Sequence, residues 1–351
     1  MSTPEMTSLQ RVFTTLGHKE PDCVPCFLLL SLHGARELGL PIKDYFAKSE
    51  TVAEGQIRLR AKYRLDCLNA FYYGPIEIEA WGGEVIFCDD GPPNSGQPFI
   101  RRPEDIEMLE PPRIEDCACL TRVLGTIEQL KSRTGDDAPI IGVAISPFSL
   151  PVMQMGFHNY LELIYERSVL FERLMNINED FCVSWANAQL RAGATAICYF
   201  DPVSSSTIIP RELYLKTGFE VARRTLARIQ GATATHFASG RCLPILNDVA
   251  QTGTAAVGVS VEEDLAALKD ACRGKLTILG NLNGIAMRHW SAGEAESAVK
   301  EAIARAGSGG GFILSDNHGE IPWQVPDDVL FAISDAVHRW GRYPLNWVTN
   351  E

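Results

Sequence analysis

Residues 311–322 read GFILSDNHGEIP, an apolar run that breaks within two residues into acid, amide, imidazole and glycine. Phe312, Ile313 and Leu314 are strand formers, and the cluster Asp316, Asn317, His318, Gly319 is the composition of a strand end. Residues 233–240 read TATHFASG, a second β-prone segment that runs into a histidine and a glycine turn. Two such segments in one parallel sheet place His236 and His318 at the same edge, facing one pocket.

Other short apolar runs recur at strand length. Residues 24–30, 67–71, 139–145, 195–200, 233–237, 255–259, 276–279 and 311–315 give eight strand candidates, the number in a closed (β/α)8 barrel. Segments of helical period lie between them, among them 159–192, 211–230, 261–272 and 294–306. Glu262, Glu263 and Asp264 suit the positive end of a helix dipole. Leu9, Val12, Phe13 and Leu16 predict a helix ahead of the first strand, placed to plug or flank the barrel. Residues 77–87, turning at Gly82 and Gly83, predict a β-hairpin inserted after the second strand, followed by a Pro/Gly-rich loop over 89–97. The fold class expected is therefore α/β: a TIM barrel with an N-terminal helical extension and a β-hairpin insertion, forming a single domain over residues 1–351. An open doubly wound sheet fits the same alternation, but Gly307 to Gly311 precedes a strand, whereas a dinucleotide loop follows one.

Composition narrows the function. The 351 residues carry a net charge of −12, with 46% hydrophobic and 22% charged residues. No basic stripe offers itself to a phosphate backbone, so nucleic acid is not an expected partner. The N-terminus lacks the pattern of a signal peptide and no apolar stretch reaches about 18 residues, so no membrane association and a cytoplasmic location are expected. The ten cysteines are scattered and read mostly as buried thiols. Cys23 and Cys26 have redox-pair spacing, but they enter a strand and not a helix N-terminus.

Chemistry in a parallel barrel concentrates at the C-terminal strand ends. These offer His33, Asp201, His236, Ser239, Asn281, Asn283, Asp316 and His318, with His158 in a nearby loop. No GxSxG elbow or HExxH occurs, which excludes the usual acyl-transfer and zincin arrangements. His318, Asp201 and Asp316 are the candidate catalytic residues, as acid, base or ligand. His236 and His318 are the candidate metal ligands, since zinc accepts imidazole and carboxylate while keeping a position open for substrate. His236 satisfied by a backbone group inside the barrel is the alternative. Tyr72, Tyr73, Met153, Phe157 and Asn281 are the candidate substrate-binding residues, the aromatic and methionine side chains walling an apolar pocket. Packing of the insertion onto the rim explains the same aromatic set.

The chain resembles the uroporphyrinogen decarboxylase superfamily, over nearly its whole length. The resemblance rests on Pro21-Asp-Cys-Val-Pro25, Glu79-Ala-Trp-Gly-Gly-Glu-Val85, Tyr199-Phe-Asp-Pro202, the His236 turn, Gly280-Asn-Leu-Asn283 and Asn317-His-Gly-Glu-Ile-Pro322, in that order. It implies a (β/α)8 barrel. The decarboxylase's arginine-rich segment after the first strand has no counterpart in residues 27–36, which points away from a tetracarboxylate porphyrinogen. The corrinoid-dependent methyltransferase branch, including the methylcobamide:coenzyme M methyltransferases, is more similar. Those enzymes hold zinc with a His-x-Cys pair and a later cysteine; here the pair reads His236 and Ala238, and His318 or a neighbour stands for the last ligand. The resemblance thus implies either a harder zinc site of His236, His318 and an aspartate, or metal-free chemistry. It implies demethylation of a small methyl donor, such as a methoxylated aromatic, with the methyl group passing to cobalamin carried by a separate corrinoid protein. Two rival readings are a decarboxylase of a small carboxylated substrate, with Arg36 or Arg241 binding the carboxylate, and a non-catalytic barrel subunit.

Overall fold

The protein is described by a computed structural model covering residues 5–348. Its strands are β1 (Leu68–Asn69), β2 (Val85–Ile86), β3 (Asn94–Ser95), β4 (Ile140–Ile145), β5 (Ala196–Phe200), β6 (Ala232–His236), β7 (Ala256–Gly258), β8 (Thr277–Leu282) and β9 (Phe312–Asp316). Seven of them form one parallel sheet in the order β1-β4-β5-β6-β7-β8-β9, curled and surrounded by helices. Because neighbours in the sheet are successive along the chain, each crossover returns on the same side and the strand ends share one rim. Register places Phe200 beside His236, His236 beside Gly258 and Leu282 beside Asp316.

Residues 24–30, expected as the first strand, reach the open edges of this sheet without forming a regular strand. The Phe27 amide donates to the Leu314 carbonyl (2.9 Å), the Leu314 amide to the Pro25 carbonyl (2.9 Å) and the Asp66 amide to the Cys26 carbonyl (2.9 Å). Only the Cys26–Leu314 pair is a bridge. Pro25 has no N–H to give, and the Cys26 N–H is taken by the Asp66 carboxylate at 2.8 Å, so a continuous ladder cannot form.

The expected N-terminal helix is α1 (Ser8–Leu16), started by a capping box between Thr7 and Gln10. Its Val12 packs with Phe27, Leu29, Cys67, Leu279 and Ile313, which are inward side chains of the sheet. Arg11 bonds Asp22 (2.7 Å) and Asp66 (2.6 Å), fixing the helix across the N-terminal end of the sheet.

Several expected boundaries move. The inserted hairpin is formed by β2 and β3, turning over 87–93. Residues expected as its first arm form the helix Ile76–Ala80, with acidic Glu77 and Glu79 in its first turn. Gly83 follows so closely on Ile78 that a side chain there would strike the Ile78 carbonyl. The long helix expected over 159–192 is two, Phe157–Glu166 and Ser168–Ala192. Tyr160 of the first packs on Phe148. Gln189 of the second bonds both the amide (3.0 Å) and the carbonyl (2.8 Å) of Val143 in β4. Residues 211–230 likewise divide at Thr217 into Arg211–Lys216 and Gly218–Leu226, where a Cβ on Gly218 would strike Ser204 Oγ.

Candidate active site

A cavity of about 680 Å³ opens among the C-terminal strand ends and continues into the sheet. His236, His318 and Glu320, with the thiols of Cys67 and Cys198, are its titratable lining groups, most of the remainder is apolar, and no lysine or arginine of the described residues lines it.

His236 ends β6 and is fully buried, its ring stacked on Phe200 with centroids 5.7 Å apart. Gly258, its neighbour on β7, makes room: a Cβ there would lie 2.8 Å from His236 Nε2. The Ala238 amide donates to His236 Nδ1 at 3.0 Å. Nδ1 therefore carries the lone pair and Nε2 the proton. Burial, with a smaller contribution from nearby His318, lowers the pKa to about 4, so the ring is neutral. Nε2–H has no partner and borders the cavity, an unsatisfied buried donor.

The turn after β9 positions His318 and Glu320. Asp316 Oδ2 accepts the amides of His318 (2.9 Å) and Gly319 (3.0 Å), and Gly319 takes φ 92°, a left-handed conformation suited to glycine. His318 Nδ1 hydrogen-bonds Ser239 Oγ, and burial lowers its pKa. Glu320, two residues on, is bonded by the Ser31 hydroxyl. Its carboxyl keeps some accessible surface facing the cavity, but burial pushes its pKa up to about 7, against the lowering by Ser31 and with a small push from Asp316. A carboxyl that holds its proton up to about neutrality, and is about half protonated there, thus stands beside an apolar pocket.

The structure brings His236, His318, Met153 and Phe157 to the cavity wall and turns the other expected residues elsewhere. Asp201 is buried, accepting hydrogen bonds from Ser146 Oγ (2.5 Å) and Ser149 Oγ (2.7 Å), a tie between strand ends. Asp316 shapes the turn from outside the lining. Asn281 donates to the Ser260 carbonyl at 3.0 Å. Tyr72 bonds Thr126 Oγ1 (2.7 Å) and Tyr73 bonds Glu79 (2.6 Å), and both pack on Phe46 in an aromatic cluster. Their neighbour Phe71 lines the cavity, while the bonds of Tyr72 to Thr126 and of Tyr73 to Glu79 hold both tyrosines in the cluster on Phe46. His33 is buried with both ring nitrogens unpaired, outside the lining.

Two lining residues escaped the sequence reading. Glu320 follows His318 by two positions across the Gly319 turn, so the turn that presents one presents the other. Asn69 is a lone amide in an apolar strand, with its Nδ2 buried and unpaired at the cavity.

The expected zinc does not fit this donor set. His236 presents N–H where a ligand must present a lone pair, and Ala238 carries no donor. Among the described residues no three His, Cys, Asp or Glu side chains converge to hold a metal ion. No helix of the described residues is long and apolar enough to cross a membrane.

A curled parallel sheet with its site at the carboxyl rim defines an α/β protein of barrel type. The chain belongs to the uroporphyrinogen decarboxylase (URO-D) family, whose model matches residues 7–340. The uroporphyrinogen decarboxylase of Methylococcus capsulatus is 26% identical over 302 residues, spanning 83% of this chain and 84% of that one. That of Cupriavidus necator is 26% identical over 299 residues, 80% of each. Among solved structures, a methyltransferase from Methanosarcina mazei shares the fold with a TM-score of 0.81 at 20% identity, covering 95% of this chain and 99% of that one.

Proposed function

We propose that this chain is a methyltransferase that demethylates a small apolar methyl ether, such as a methoxylated aromatic, within a closed eight-stranded barrel whose eighth place is taken by residues 24–30. The observation that carries this reading is the lining: donors and a protonated carboxyl, but no cation. A substrate bearing several carboxylates needs arginine or lysine to replace its hydration. Arg36 bonds the Trp323 carbonyl (3.1 Å) and pairs with Asp327 (3.1 Å), while Arg241 pairs with Glu262 (3.1 Å), so neither serves the cavity. The fold shared with a methyltransferase supports the same reading.

In this mechanism Met153, Phe157 and Phe200 hold the apolar body of the donor and exclude water. His236 Nε2–H donates to the ether oxygen. Glu320 gives its proton to that oxygen as the carbon–oxygen bond breaks, leaving the alcohol and a carboxylate. His318, bonded to Ser239, orients the oxygen. A corrinoid on a separate protein supplies the nucleophile that takes the methyl group. Phe157, Ile208, Leu243, Val261 and Ile285, one from each of five successive βα loops, stay 37–44% exposed and offer that partner an apolar docking ring.

The test is release of phenol from anisole by the purified chain with added cob(I)alamin, run beside carbon dioxide release from uroporphyrinogen. Cobalamin-dependent phenol supports methyl transfer. Carbon dioxide without phenol overturns it in favour of decarboxylation.

A further inference from the structure

The inward side chains of three neighbouring strands are unusually small. Ala196 and Cys198 of β5, Ala232 and Ala234 of β6 and Ala256 of β7 face the cavity. A barrel of this kind ordinarily fills its axis with layers of branched side chains. Here methyl groups and one thiol leave the axis hollow, and Ile141, Val143, Cys198 and Ala234 remain partly accessible although they lie inside the sheet. The cavity therefore continues past His236 to the opposite end, where Val12, Phe13 and Leu16 of α1 line its floor.

Below Glu320 and His236 this passage carries no charged group. An apolar passage gains little from water, which needs two or more polar partners, and takes up apolar matter instead. We propose that the axis binds an unbranched, neutral hydrocarbon chain joined to the reacting head, so that the substrate class is an extended alkyl-substituted methyl ether. The inference rests on the methyl-transfer reading for the head group only. From Ile141 to Ile145 the sheet spans about 13 Å, four steps of roughly 3.3 Å. An extended chain advances about 1.2 Å per bond, so the passage accepts on the order of a dozen carbons.

The probe is a series of 4-alkylanisoles from methyl to hexadecyl, titrated calorimetrically against the full chain. Native protein is expected to bind about fourfold tighter per added methylene until roughly a dozen carbons, then no tighter. In Ala234→Leu the gain stops at shorter chains, and in Ala232→Leu, deeper along β6, at an intermediate length. Thermal unfolding of each variant checks that it is folded, and if Ala234→Leu is not, the native series and Ala232→Leu decide. A flat native series, or one plateau shared with a folded variant, overturns the proposal. Graded binding without cobalamin-dependent phenol release leaves the axis assigned and refutes the methyl-transfer reading, whereas phenol release with flat binding does the reverse.

Discussion

Replacing Glu320 with glutamine separates what the carboxyl does for the reaction from what it does to the fold. Burial lifts its pKa from 4.5 to about 7, so the folded chain holds a proton that the unfolded chain releases. Between those values the native state binds more protons, and stability falls as pH rises from about 4.5 through about 7. The shift corresponds to about 3 kcal/mol at most, at 1.36 kcal/mol per pKa unit. Because the carboxyl faces the open cavity, solvent screening reduces this to roughly 2 kcal/mol. Glutamine keeps the shape and never ionises, so Glu320→Gln should gain that stability at pH 8 relative to pH 5. With an unfolding entropy of about 0.7 kcal/mol/K for a chain of this length, the gain is about 3 °C in Tm. Turnover at pH 7 should fall by about 10²- to 10⁴-fold, the usual contribution of a positioned acid. Scanning calorimetry at both pH values and the phenol assay measure the two effects. A Tm difference independent of pH refutes the raised pKa, and unchanged turnover refutes the acid.

Gly258→Ala should drive the His236 ring from its seat, costing about 1–3 kcal/mol in denaturant midpoint and weakening anisole binding. Asp201→Asn, which loses the charged acceptor for two serine hydroxyls, should lower stability by about 1–3 kcal/mol while leaving KM near its native value, as expected of a tie outside the lining. Tyr72→Phe should cost about 1 kcal/mol through its bond to Thr126, again with KM unchanged; a raised KM would return Tyr72 to the binding site. Exhaustive treatment with a chelator should leave Tm and turnover where they were, checked by thermal scanning, because the donors do not suit zinc.

The parallel strands were legible because their apolar runs are short and end in polar turns, as in residues 311–322. The pairing of His236 with His318 at one rim followed from that. Residues 24–30 misled because local composition does not disclose that the Asp66 carboxylate takes the amide of Cys26. The hairpin slipped because Glu77 and Glu79 suit a helix start as well as a strand, and packing of Gly83 on Ile78 decides. Residue type marks Phe71, Tyr72 and Tyr73 alike as pocket aromatics, and only Phe71 lines the cavity, because Thr126, Glu79 and Phe46 hold the two tyrosines away from it. The donor set departs from a zinc site at a single backbone amide, which selects the tautomer of His236 and is invisible in a list of side chains.

The two ends of the chain are stitched to each other. The Val24 amide donates to the Gly341 carbonyl (2.9 Å), the Tyr343 amide to the Asp22 carbonyl (3.1 Å), and Phe27 and Pro25 bond Leu314. During translation, about 290 residues must follow Phe27 before its partner exists. At ribosomal speeds of about 5–20 residues per second, that is a wait of roughly 15–60 s. Through this interval Val12 of α1 has Phe27, Leu29 and Cys67 to lie against but not yet Leu279 and Ile313. A stop codon even a few residues before Gly341 therefore leaves an open seam beside Val24, whose amide loses its acceptor.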